Sequence, residues 1–182
     1  MMPWGEGQRW DYQYGVAQKP IKQLNAVGNS ILGCTSVLLN GCAEGVTGST
    51  RVGRQILMKR IEIAPLMSAS GRVLLVLDTQ ARGAGLTLNG TSGLFNEAAG
   101  LYNLTLNPFT EERYKIVDDH YMESTINAAV QNKNWWVDLN IITHYQSNVA
   151  TIAGIQTNAL HMVILSHGTG AIYRTSLHFE DC

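Results

Sequence analysis

Five histidines, three cysteines and one dense acidic run are the residues of this chain with chemistry to offer. His161 and His167 lie on a strand-like segment at an even spacing and so share a face. No acidic residue lies close in sequence to complete a metal set there. His120, His144 and His178 read as ordinary strand histidines. Asp118-Asp119-His120 is the densest polar cluster. On a strand, Asp118 and His120 face one way and Asp119 the other, and acid–base work would need partners from elsewhere in the fold. Calcium is the metal those oxygens would suit best, but the pattern predicts no metal site. Ser166 and His167 are strand neighbours, point to opposite faces and form no direct dyad. Gly83-Ala84-Gly85 lacks the third glycine and the helix of a dinucleotide loop. No nucleophile elbow, H-E-x-x-H or phosphate-loop motif is present. Cys34, Cys42 and Cys182 are odd in number and lack C-x-x-C spacing, which predicts free thiols in a reducing compartment. These residues predict a protein that is not an enzyme and carries no cofactor.

Charge is distributed unevenly along the chain. Arg51, Arg54, Lys59, Arg60 and Arg72 fall in one stretch whose only acid is Glu62. Glu111, Glu112, Asp118, Asp119 and Glu123 fall in another, against Arg113 and Lys115. Two solvated faces would account for this, as would complementary patches that meet across subunits. A basic segment facing phosphate is the third reading, since Arg and Lys bind the nucleic-acid backbone without reading sequence. The five basic residues are therefore the candidates for nucleic-acid binding or a subunit interface. Thirteen Lys+Arg against fourteen Asp+Glu give a net charge of −1, which excludes a surface that is one nucleic-acid clamp. Charged residues make up only 15%, against roughly 25% in an average soluble protein. Interface cores are depleted in charge, so such a surface suits coverage by copies of itself.

The elements that would position these residues are strands. A chain of 182 residues has room for one domain. Residues 1–30 show no sustained period and read as an N-terminal arm, with residues 31–182 as the folded domain. Trp4, Trp10, Tyr12 and Tyr14 make the arm aromatic, and its charges nearly cancel, so it suits packing better than phosphate binding. Strand signals run over Ser36–Asn40, Gln55–Ala64 (stopped by Pro65), Arg72–Asp78, Tyr114–Met122, Trp135–Tyr145, Leu160–Ser166 and Tyr173–Glu180. Trp135–Tyr145 is the cleanest: Val137, Leu139 and Ile141 share one face and are expected to be buried between two sheets. Thr79–Glu112 is glycine-rich and long, with one helical turn expected at Asn96–Ala99; a loop of that length has a job or packs at an interface. About eight strands in series argue for a sandwich or barrel, and a double-sheet jelly roll is one standard arrangement. No apolar run approaches the ~18 residues of a bilayer span, and the opening Met1–Glu6 has no secretory pattern.

Two stretches carry a resemblance. Thr47-Gly48-Ser49-Thr50-Arg51-Val52-Gly53-Arg54-Gln55-Ile56-Leu57-Met58-Lys59-Arg60-Ile61-Glu62-Ile63 is similar to the R-x-G-x-x-I-x-x-K-x-I-x-I run of single jelly-roll coat proteins. Arg72-Val73-Leu74-Leu75-Val76-Leu77-Asp78-Thr79-Gln80-Ala81-Arg82-Gly83-Ala84 resembles the R-V-L-L-V-x-D-x-Q-x-x-G-A run of the same proteins. A weaker match runs from Leu104 to Asp119. The family is that of satellite tobacco necrosis virus and of small circular Rep-encoding single-stranded DNA viruses. The resemblance implies an all-β, eight-stranded antiparallel jelly-roll sandwich. It implies a coat protein that assembles with itself into a small icosahedral T=1 shell, inside the host cell, with the virion as its location. The implied partners are copies of itself and a single-stranded genome, with no membrane. The family's strongly basic arm has no counterpart here, so the genome is expected to be held weakly and non-specifically. A carbohydrate-binding jelly roll, with Trp135, Trp136 and the tyrosines stacking on sugar rings, is the alternative. A jelly-roll enzyme with a metal on its histidines is the third.

Overall fold

The computed structural model describes residues 19–29, 33–96, 105–123, 131–166 and 171–182. Its regular elements are strands β1 (Lys22–Asn29), β2 (Gly33–Leu38), β3 (Gln55–Met67), β4 (Gly71–Asp78), β5 (Tyr114–Met122), β6 (Gln131–Asn132), β7 (Trp135–Tyr145), β8 (Ile155–Thr157), β9 (Ala159–Ser166) and β10 (Ile172–Asp181). Single 3-10 turns cover Pro108–Thr110 and Ile152–Gly154. The chain is all-β and forms two antiparallel sheets. One sheet runs β1-β10-β3-β7-β8 with β6 also on β3, and the other runs β2-β9-β4-β5.

Each segment that reads as a strand in the sequence is one here; Tyr114–Met122 and Trp135–Tyr145 keep their bounds and the others have shifted ends. β3 runs on through Pro65 to Met67. Pro65 is accommodated because on that flank β7 pairing ends at Ile63 and β6 pairing begins at Leu66, leaving no ladder bond to lose. β1 lies within the stretch read as arm. Its inward positions are Lys22, Leu24, Ala26 and Gly28, only two of them apolar side chains, so its period-two signal is faint. Pairing with β10 along its whole length makes β1 a strand. Gly28 stands opposite Tyr173, whose ring occupies the space a Cβ would need. Trp4, Trp10, Tyr12 and Tyr14 lie outside the described residues, as do His167 and, apart from Asn96, the expected helical turn.

The main core lies between the sheets, with Ile56, Met58, Ile61 and Ile63 of β3 and Leu177 and Phe179 of β10 facing Val73, Leu75, Leu160, Met162 and Ile164. A second, smaller core covers the other face of the four-stranded sheet. There Leu74, Val76, Val163 and Leu165 pack under Leu94 and Phe95 of the long loop. β4 and β9 are therefore buried on both faces, which is why they read as unbroken apolar runs. Asn107 fastens that loop: its buried amide donates to the carbonyls of Gly90, Thr91 and Gly93, and its Oδ1 accepts from Phe109 N at 3.1 Å. Val137, Leu139 and Ile141 do point at the main core but are only half-buried. Among the described residues, β7 has a neighbour on its far side only near His144 and Tyr145, where the short β8 pairs with it.

Candidate functional site

The outward face of the six-stranded sheet carries a groove of about 360 Å³ lined by Ile21, Lys59, Arg60, Trp136, Asp138 and His178. Three strands build it. β7 alternates strictly, so Trp136 and Asp138 point out while their neighbours point in. β3 reaches the same face through a register shift between Met58 and Arg60. Met58 and Ile61 are both core residues three positions apart, and the residues between them, Lys59 and Arg60, are pushed outward. Strict alternation would put Lys59 on the face of Ile61, and this bulge turns it outward instead. β10 supplies His178.

Within the groove the charges are paired. Arg60 Nε donates to Asp138 Oδ1 at 2.8 Å, and the Arg60 guanidinium lies 5.6 Å from the centre of the Trp136 ring. Lys59 Nζ is 3.7 Å from Glu180. The His178 and Trp136 rings are 5.6 Å apart and tilted. Further along β10 the same face presents Ser176 and Arg174 beside Gln23 and Asn25 of β1 and Glu62 of β3. Gln23 donates to Ser176 Oγ, and Arg174 sits 3.9 Å from Glu62.

The five basic candidates do not form one patch. Arg51 has no exposed surface. Its Nε donates to Cys42 O at 3.1 Å, its two Nη atoms donate to Gly53 O and Ser147 O, and it stacks 4.2 Å above Tyr145. It braces the long β2–β3 connection and ties it to the loop after β7, and it is closed to any phosphate. Arg72 is likewise withdrawn. It makes two hydrogen bonds to Asp119, of 2.8 and 2.5 Å, over the ring of Tyr121. The bond to Asp119 raises its pKa further above that of a free guanidinium. Arg54 is exposed and has no acidic partner among the described residues. Lys59 and Arg60 are thus the two of the five that meet in a site. The complementary runs do meet at Arg72–Asp119, but within one chain.

Asp118 and His120 share a face, as their spacing predicts. His120 Nε2 lies 3.1 Å from Asp118 Oδ2, which also accepts from Trp135 Nε1 at 2.7 Å. Lys133 Nζ approaches His120 Nδ1 at 3.2 Å. This cluster pins β5 to β7 across the two sheets. Trp135 is therefore spent on structure, and of the two described tryptophans Trp136 is the one left available.

A second groove, of about 450 Å³, lies over the four-stranded sheet between Ser36, Leu38, Leu86, Thr151, Ile152 and His161. His161 is buried, and burial lowers its pKa to about 4, so it is neutral at pH 7. Its Nδ1 lies 3.4 Å from Ser36 Oγ, and its Nε2 has no partner among the described residues.

Sequence reasoning missed His178 because it comes to Trp136 through strand pairing, which no local pattern reports; Asp138 shares the face of Trp136 two residues on, but its pairing with Arg60 is set by sheet register. Among the described residues, no group of three or more His, Cys, Asp or Glu side chains is placed to hold a metal ion. No described helix is long and apolar enough to cross a membrane. No protein-family model matches the chain, and no curated protein is similar to it at a significant level.

Proposed function

We propose that this chain is a viral coat protein: a jelly roll that assembles with copies of itself into a small icosahedral T=1 shell around a single-stranded genome. The observation that carries the reading is the nesting of the strand pairs. β1 pairs with β10, β2 with β9, β3 with β7 and β4 with β5, each pair lying inside the one before it in sequence. With the short β6 and β8 set aside, the first, third, sixth and eighth long strands make one sheet and the second, fourth, fifth and seventh the other. One long hairpin folded over into two Greek keys produces this order, which supports the jelly-roll reading. The residues behind the resemblance to coat proteins have work to do in this frame. Arg51 and Gly53 (φ +84°) close the turn into β3. Asp78 ends β4 by accepting from Gln80 N at 3.0 Å and from both ends of Arg113.

The paired state of Lys59, Arg60 and Arg72 supports weak, non-specific contact with the genome. Particle location and assembly in the host cell follow from the same reading. The test is to express the full chain, fractionate it by size and view it by negative-stain microscopy. Closed particles of uniform diameter are expected. Protein that stays monomeric or forms only small oligomers across pH, salt and added single-stranded nucleic acid would overturn the proposal.

A further inference from the structure

We infer that the groove around Trp136 is a binding site for a neutral oligosaccharide. The inference concerns one face of one subunit and stands whether or not the chain forms a shell. Charge comes first. The two cations in the groove, Lys59 and Arg60, face Glu180 at 3.7 Å and Asp138 at 2.8 Å. Next along the sheet, Arg174 faces Glu62 at 3.9 Å. The face is rich in charged groups yet neutral, and a polyanion would have to displace a carboxylate at each step. A neutral polymer of hydroxyl groups meets no such barrier. It finds donors in Arg60 and His178 and an acceptor in Asp138, all within the groove.

The apolar part agrees. Trp136 is 49% exposed and Ile21 is 63% exposed, so a large aromatic surface is held open beside an apolar wall. A half-open indole among polar neighbours suits a ligand with one apolar face and a polar rim, which describes a pyranose ring. The groove's volume falls within the range of small-ligand sites, roughly 300–1,000 Å³. Beyond the groove, the exposed amides of Gln23 and Asn25 continue the same face, with Ser176 buried beside Gln23, which suits a chain of sugars better than a single one. Trp136, Asp138, Arg60 and His178 all stand on strands, so the site is largely formed before the ligand arrives.

The test is a tryptophan-fluorescence titration of the full chain with cellotetraose, chitotetraose, a neutral milk tetrasaccharide, a heparin-derived tetrasaccharide and an oligothymidylate. Saturable binding of at least one neutral sugar is expected, with little change on raising salt, because no ion pair forms with the ligand. Trp136→Ala should weaken it by about tenfold or more, and Trp136→Phe should recover part of the loss. Trp135→Phe should bind as the wild type does. Trp136→Ala should melt near the wild type, since the side chain is half in solvent, and calorimetric titration replaces fluorescence for that variant. If no neutral sugar binds, the inference fails. If the oligothymidylate alone binds, salt-sensitively and through Trp136, the groove is a nucleic-acid site and the inference is equally overturned.

Discussion

Arg51 illustrates what a motif residue does once the chain is folded. Its guanidinium satisfies three carbonyls drawn from two loops and is stacked on Tyr145. Arg51→Met keeps much of the volume but leaves those carbonyls buried and unpaired. A loss of roughly 2–4 kcal/mol in urea unfolding is expected, and Arg51→Lys should restore only part of it, lacking the planar fork. An unchanged midpoint in Arg51→Met would show that the loops hold without it. His161 sets a pH dependence. Burial lowers its pKa from 6.5 to about 4, so between those values the unfolded chain binds the extra proton and the folded one does not. Its contribution is complete above pH 6.5 and is lost as pH falls towards 4, roughly 3 kcal/mol in all. His161→Gln cannot titrate. The wild type should therefore lose stability more steeply than this variant over that window, and parallel pH profiles would contradict the assignment.

At the scale of elements, two packing questions decide stability. The long loop covers one face of β4 and β9 and is fastened by the Asn107 amide. Asn107→Ala should cost about 1–3 kcal/mol and raise hydrogen exchange at Leu94 and Phe95, whose backbone amides close the loop. Exchange unchanged there would mean the apolar contacts hold it alone. In β7, Leu139 faces the main core but keeps part of its surface in solvent. Leu139→Ala should therefore cost about 1–2 kcal/mol, below the roughly 2–5 kcal/mol of a fully buried site. A thermal melt reads the difference directly. A larger loss would mean that β7 is covered by something more than its own sheet partner.

For the whole molecule, the pairing of cations within the chain bears on assembly. Arg60, Arg72, Arg113, Lys22 and Lys59 each reach a carboxylate of the same subunit. The cations that could have made one shared basic patch are thus largely taken up, so shells should form from nucleic-acid-free protein and show the absorbance ratio of protein alone. Raised salt should leave them largely intact, since apolar contacts are not screened as ion pairs are. Assembly that begins only on adding single-stranded nucleic acid would reverse this view and return the genome to a structural role.

The period-two pattern of Trp135–Tyr145, and the apolar runs at Val73–Leu77 and Leu160–Leu165, are local properties of the chain. They were enough to determine the strands and the all-β class, because a strand's alternation and a buried strand's lack of it are written in neighbouring residues. The Asp118–His120 pair was legible for the same reason. β1 was not, since Leu24 and Ala26 alone carry its inner face and pairing with β10 supplies the rest. Nor was the fate of the basic segment. A charge is visible in the sequence, but its neutralisation by Asp119, Asp138 or Glu180 depends on which strand lies alongside. The same holds for the groove, where Trp136, His178 and Arg60 come from three strands and meet through sheet register and one bulge. Register and long-range pairing are set by how the two cores pack, so the tertiary structure alone decided which cations are spent and which aromatic ring stays open.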